Sequence, residues 1–110
     1  MKFNTQDIDG VFLISDLPKI LDAGNAMEFK TAMAELLENS DKVVIDMSTV
    51  SFIDSAGCGA MIATLRALKG MGGTLKVFAV QKQVRSVFEL VRMHKIIEIL
   101  NTKEEAIDSF

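Results

Sequence analysis

The run Lys42–Asp46 constrains the fold of this chain more than any other segment. Its three central residues, Val43, Val44 and Ile45, are apolar and β-branched. A short continuous run of this kind is typical of a strand that is buried on both faces inside a sheet. The sequence therefore predicts a central strand here, with the rest of the chain packed around it.

Strand and helix patterns alternate along the rest of the chain. The pair Asp9-Gly10 separates two short runs, residues 3–8 and 11–15, and this arrangement predicts a tight antiparallel hairpin. Three helices are predicted from apolar residues at helical spacing. These residues are Phe29, Met33, Leu36 and Leu37 in the first, Cys58, Met61, Ile62, Leu65 and Leu68 in the second, and Val84, Val87, Phe88 and Val91 in the third.

The ends of these elements also carry sequence signals. Asn25, with Glu28 three residues on, predicts a capped start for the first helix, which we expect to end near residues 39–40. The glycine-rich stretch 70–73 ends the second helix, strands are predicted at 74–80 and 97–100, and a last helix is predicted from about Thr102. This order predicts an α/β domain with helices packed on a mixed, mostly parallel sheet and an N-terminal β-hairpin.

Composition narrows the class of protein. The chain has 110 residues, 49% hydrophobic and 25% charged, so we expect one globular domain over residues 1–110. Cys58 is the only cysteine and His94 the only histidine, so neither a disulfide nor a zinc site is expected. The net charge of −3 and the lack of a spanning apolar run argue against direct partners in nucleic acid or membrane. A cytoplasmic protein is expected.

The segment 46–59 lies between the central strand and the second helix and holds the candidate site. Phe52 and Ile53 are expected to anchor this loop in the core, and Asp54 or Ser55 falls where a helix N-cap belongs. Ser55 would then lie at a helix start, where free N–H groups and the macrodipole favour an added phosphate. Gly57 and Gly59 disfavour helix, so they either admit a partner's backbone or allow close helix-on-sheet packing.

The same segment resembles a known family. It reads Asp-Met-Ser-Thr-Val-Ser-Phe-Ile-Asp-Ser-Ala-Gly-Cys-Gly, and residues 72–75 read Gly-Gly-Thr-Leu. The STAS domains, and most closely the bacterial anti-sigma factor antagonists, carry the pattern Asp-Leu-Ser-x-Val-x-Phe-Ile-Asp-Ser-Ser-Gly-Leu-Gly. The resemblance extends over nearly the whole chain, because the order of elements and the length fit a single domain of this family.

The resemblance implies which residues form the site. The family's phosphorylated serine directly follows the motif Asp, and that position is Ser55 here. A second family acid, in a Gly-x-Leu-Asp stretch, corresponds to Asp22, although Pro18-Lys19-Ile20 replaces the stretch's start. Ala56 and Cys58 replace the motif's second serine and its leucine. The implied partner-binding residues are Asp22, Asn25, Asp54, Ser55, Ala56, Gly57 and Gly59.

The resemblance also implies a mechanism called partner switching. The unphosphorylated chain would bind an anti-sigma factor that is itself a serine kinase, and this binding would free a sigma factor. The kinase would then phosphorylate Ser55 with ATP and release the chain, and a serine phosphatase would reset it. The chain would need no cofactor or metal, would hold no catalytic residue, and would be a monomer when free.

Two other functions compete with this hypothesis. An enzyme would need a base beside Ser55, and the only histidine, His94, lies at the end of the third predicted helix. A STAS module that binds a ligand or serves as a scaffold would need no phosphorylation. Cys58 lies on the apolar stripe of the second helix, so a buried structural thiol is expected rather than a redox site.

Overall fold

The computed structural model of the chain describes residues 1–110. The chain forms seven strands, four α-helices and one 3₁₀ turn at Met93–Lys95. In chain order the elements are β1 Asn4–Ile8, β2 Val11–Ser15, β3 Ile20–Leu21, α1 Ala26–Leu36, β4 Lys42–Asp46, β5 Phe52–Ile53, α2 Ser55–Gly70, β6 Thr74–Phe78, α3 Lys82–Leu90, β7 Glu98–Leu100 and α4 Lys103–Asp108.

The main sheet has five strands in the order β1-β2-β4-β6-β7. Only the β1–β2 pair is antiparallel, whereas β2–β4, β4–β6 and β6–β7 are parallel. The central strand is β4, and Val43, Val44 and Ile45 have no exposed surface. The predicted mixed, mostly parallel sheet with an N-terminal hairpin is therefore confirmed.

The hairpin turn uses the conformation that its Asp-Gly pair predicts. Asp9 and Gly10 both have positive φ, 52° and 83°, as a two-residue turn between right-twisted strands requires. The Gly10 N–H also donates a hydrogen bond to Asp7 Oδ1 at 3.2 Å. The turn sets the register in which Ile8 faces Val11.

The helices lie on both faces of the sheet. Alternate strand residues such as Val43 and Ile45 pack in the larger core cluster, together with Phe29 of α1, Met61 of α2 and Phe88 of α3. The intervening residue of β4, Val44, belongs to a second cluster that is completed by Ala106 of α4. Period-two alternation along the strand thus assigns three helices to one face and the short α4 to the other.

Two local expectations are wrong, and two short strands were not expected. Asn25 stands at the N-cap position of α1 but makes no side-chain cap, and Glu28 accepts instead from the N-terminal ammonium of Met1 at 2.8 Å. Strand β6 ends at Phe78, because Ala79 turns to a positive φ of 59°. The chain also forms the two-residue strands β3 and β5, which the apolar pattern does not predict.

No α-helix of the structure has both the length and the apolar character needed to cross a membrane.

Lys76 is a charged side chain within the second cluster's face of the sheet, and its ammonium group holds the end of the chain in place. Its Nζ donates to the backbone oxygen and to Oγ of Ser109 at 2.9 and 2.7 Å, and pairs with Glu98 at 3.2 Å. The Phe110 ring lies 4.4 Å from the same nitrogen. The buried ammonium thus has a full set of partners.

We predict that Lys76→Met lowers the free energy of unfolding by about 1–3 kcal/mol, because it removes the charged hydrogen bonds to Ser109. Glu98→Gln is the matched control. This variant loses only the ion pair with Lys76, in which the Glu98 side chain is half exposed. We therefore expect its free energy of unfolding to change by less than about 1 kcal/mol. Urea unfolding followed by circular dichroism measures both, and equal effects would contradict this role for Lys76.

Candidate functional site

The candidate site is built by the two-stranded parallel pair of β3 and β5. Leu21 lies opposite Ile53 in the register, so the next residues, Asp22 and Asp54, leave the pair at the same edge. The Asp54 N–H donates to the Leu21 carbonyl at 3.3 Å. The structure thus brings together the two acids that the sequence places more than thirty residues apart.

Asp54 is the N-cap of α2, which confirms one of the two predicted cap positions. One carboxylate oxygen, Oδ1, accepts from the Gly57 N–H at 2.9 Å. The other, Oδ2, accepts from the Ala23 N–H at 3.2 Å. A single carboxylate therefore caps the helix and ties its start to the loop between β3 and α1.

That loop is closed by its own polar side chains. Asp22 Oδ1 accepts from the Gly24 N–H at 2.9 Å. The Asn25 side chain accepts from the Asp22 N–H at 3.0 Å and donates to the Ile20 carbonyl at 2.8 Å. Since the Asn25 amide uses both ends inside the loop, it fixes the loop's shape instead of capping α1.

Ser55 is the first residue of α2, and its side chain is exposed. Its hydroxyl makes no hydrogen bond with the rest of the chain. At the same helix start, the Gly57 N–H donates to the Asp54 carboxylate and the Cys58 N–H donates to the Asp54 carbonyl. Ser55 therefore presents a free hydroxyl at the positive end of a 16-residue helix.

Gly57 and Gly59 have different surroundings. A Cβ on Gly57 would lie 2.3 Å from the Leu21 carbonyl oxygen and 2.7 Å from Ile53 Cγ1, whereas one on Gly59 would meet nothing within 4 Å. Of the two alternatives for these glycines, close packing holds for Gly57, because the chain itself fills the space beside it. Gly59 is exposed, and a partner-binding role for it stays a prediction.

Phe52 departs from the expected arrangement. Ile53 is buried in the core as predicted, but Phe52 is 51% exposed and lies beside Ile20, which is 50% exposed. Side chains of a strand alternate between its two faces, so burial of Ile53 turns Phe52 outward. This alternation was the signal that could have revealed Phe52 as an exposed apolar residue three positions before Ser55.

His94 and Cys58 are placed away from any catalytic arrangement. His94 lies exposed in the 3₁₀ turn after α3 and makes no hydrogen bond to Ser55. Cys58 is buried, which confirms the expected structural thiol. Burial, and to a smaller extent the charge of Asp54, raises the pKa of the Cys58 thiol from 9.0 to about 11.

Comparison with known proteins identifies the family of this chain. The chain matches the STAS domain model over residues 2–106, and it therefore belongs to the STAS domain family.

Within that family the similar proteins include anti-sigma factor antagonists. The anti-sigma-B factor antagonist of Listeria monocytogenes is 30% identical over 87 residues, which cover 77% of this chain and 75% of that protein. BtrV of Bordetella bronchiseptica is 28% identical over 111 residues, covering 100% and 95%. The crystal structure of an anti-sigma factor antagonist from Mycobacterium paratuberculosis superposes with a TM-score of 0.85 at 25% identity, covering 98% and 92%.

We predict that Gly57→Ala lowers the free energy of unfolding by about 1–3 kcal/mol, because the new methyl group overlaps the Leu21 carbonyl. The matched control, Gly59→Ala in the same helix, should be neutral or stabilise by up to about 1 kcal/mol, through helix propensity alone. Urea titrations of both variants test this difference. Equal effects would show that Gly57 is not a packing glycine.

We also predict that the Cys58 thiol reacts slowly with a disulfide reagent at pH 8. The shift from 9.0 to about 11 lowers its thiolate fraction, and hence its rate, about a hundredfold relative to the urea-unfolded chain. Because the folded pKa is raised, the associated stability is complete below pH 9 and is lost as the pH rises towards 11. Equal rates in the folded and unfolded chain would contradict the buried thiol.

Proposed function

We propose that this chain is an anti-sigma factor antagonist that works by partner switching. The unphosphorylated chain binds an anti-sigma factor with serine kinase activity, the kinase phosphorylates Ser55, and the phosphorylated chain is released until a serine phosphatase resets it. The observation that carries this proposal is the exposed Ser55 hydroxyl, which directly follows the Asp54 cap at the start of α2. The kinase supplies the site for ATP, and the switch operates in the cytoplasm.

Two neighbouring hydroxyl groups, unlike those of Ser48 and Ser55, are already hydrogen-bonded within the chain. Thr49 Oγ1 donates to the Leu17 carbonyl at 2.8 Å, and Ser51 Oγ donates to the Lys19 carbonyl at 3.2 Å. Both precede the helix and already have partners within the chain. Ser55 has neither constraint, so an incoming phosphoryl group meets a free hydroxyl.

The proposed contact surface surrounds this hydroxyl. It includes the loop residues Asp22 and Asn25, and Asp54, Ala56 and Gly59 around the start of α2. Gly57 supports this surface without lying on it, because its lack of a side chain lets α2 approach the Leu21 carbonyl. The exposed pair Ile20 and Phe52 adds apolar area of the kind that anchors protein interfaces.

The same site gives no support to a hydrolytic enzyme. A nucleophilic serine needs a base within hydrogen-bond reach, and the groups hydrogen-bonded around α2's start are backbone amides and the Asp54 carboxylate. That carboxylate already accepts two backbone N–H groups. We therefore propose that Ser55 is a substrate of the partner kinase and takes no part in catalysis.

We predict that a charge at position 55 weakens partner binding without unfolding the domain. A negative charge against a kinase active site is desolvated and repelled, so Ser55→Asp should bind the anti-sigma kinase about 30-fold to several thousand-fold more weakly. The same charge is favoured at the start of α2, so the variant should melt no earlier than wild type. Ser55→Ala should bind and resist release by ATP.

Calorimetric titration with the purified kinase measures these affinities, and Ser48→Asp is the control. It adds the same charge to an exposed serine in the loop before β5, and its affinity should match the wild type. Equal affinity of Ser55→Asp and wild type for the kinase would contradict the proposed mechanism. Binding with no phosphate transferred to Ser55 would favour the ligand-binding or scaffold module instead.

A further inference from the structure

An apolar groove lies between the C-terminal halves of α1 and α2, away from the Ser55 site. Its volume is about 250 Å³, and small side chains leave it open: Ala34 of α1 and Ala63 and Ala67 of α2. Met71, 54% exposed, lies at its end. The groove therefore offers an apolar seat into which side chains of a second helix can pack.

Two charged side chains border the groove. Lys30 lies on α1 and Glu38 in the turn directly after it, eight residues further along, with Ala34 midway between them. They form no ion pair with each other. The only ion pairs of the structure are Met1–Glu28 and Lys76–Glu98, so both groove charges are free of ionic partners.

This charge pattern is complementary to itself. If a second α1 crosses antiparallel with a twofold axis near Ala34, Lys30 of each copy faces Glu38 of the other. Ala34 is small, so it permits close approach of the two helices at the crossing point. The arrangement produces two ion pairs from groups that are unpaired in the single chain.

Two exposed methionines extend the same complementarity. Met27, 72% exposed, lies on the α1 face that carries Lys30 and Ala34, because these residues follow at spacings of three and four. Helices α1 and α2 lead into the parallel neighbours β4 and β6, so they run in the same direction. The twofold axis therefore brings Met27 at the start of one α1 towards Met71 at the end of the partner's groove.

We propose that the groove between α1 and α2 is the interface of a symmetric homodimer of this chain. This differs from the monomer expected from the sequence. Ala63, the first α2 residue of the groove, follows Ser55 by eight residues, about 12 Å along the helix. The interface thus leaves both Ser55 hydroxyls free, and it is independent of the proposed kinase reaction.

Sedimentation equilibrium of the full chain and of charge-reversed variants tests this interface. Lys30→Glu and Glu38→Lys each replace both ion pairs with like charges, and each should raise the dimer dissociation constant at least about tenfold. The double variant Lys30→Glu/Glu38→Lys has the wild-type net charge and reversed pairs. It should dimerise with nearly the wild-type dissociation constant.

Matched controls separate this contact from a general effect of charge. Lys82→Glu and Glu89→Lys make the same changes on exposed positions of α3 and should dimerise as the wild type does. Ala34→Arg fills the crossing point and should abolish dimers, while its circular dichroism spectrum stays that of the folded chain. A wild type that remains monomeric at millimolar concentration, or a double variant no better than the single ones, would overturn the proposal.

Discussion

Burial of β4 on both faces is the constraint on which the rest of this structure depends. Val43 and Ile45 face the cluster with α1, α2 and α3, and Val44 faces the one that includes α4. No single layer of helices can remove all three side chains from water, so the chain must cover both sides of its sheet. Parallel neighbours of β4 in turn require helical crossovers, which place the starts of α1 and α2 near one edge of the sheet.

The site at that edge depends on a second, smaller constraint. Strands β3 and β5 have only two residues each, yet their parallel pairing fixes Asp22 beside Asp54. The Asp54 carboxylate then bonds to the start of α2 and to Ala23, so one side chain sets the position of both flanking segments. Gly57 makes this geometry possible, since any side chain there would collide with the Leu21 carbonyl. The position of Ser55, the proposed acceptor, is therefore determined by its neighbours, and its own hydroxyl makes no hydrogen bond within the chain.

The sequence predicts the larger elements well because each has a periodic pattern long enough to identify. The hairpin, β4 and the three longer helices all appear near their expected positions. Strands β3 and β5 are too short to carry a period, and the Asn25 amide is diverted from its cap by local hydrogen bonds to Ile20 and Asp22 within the loop. The different roles of Gly57 and Gly59 could have been predicted from their spacing along α2. Gly57 shares the buried face of α2 with Met61, four residues on, whereas Gly59 aligns with the exposed Arg66.

The position of Ser55 also decides where a phosphate would act. Within the domain the macrodipole of α2 attracts the added charge, and the adjacent Asp54 carboxylate repels it. Asp54 is held by two backbone N–H groups, so its charge is already partly compensated, and the two effects oppose each other within a solvent-exposed region. The free energy of folding should therefore change little. In a protein interface the same charge is removed from water. Electrostatic interactions inside the interface are several times stronger than in water. A phosphate at the exposed first turn of α2 would thus act on binding and leave the fold intact, which is the property that the proposed partner switch requires.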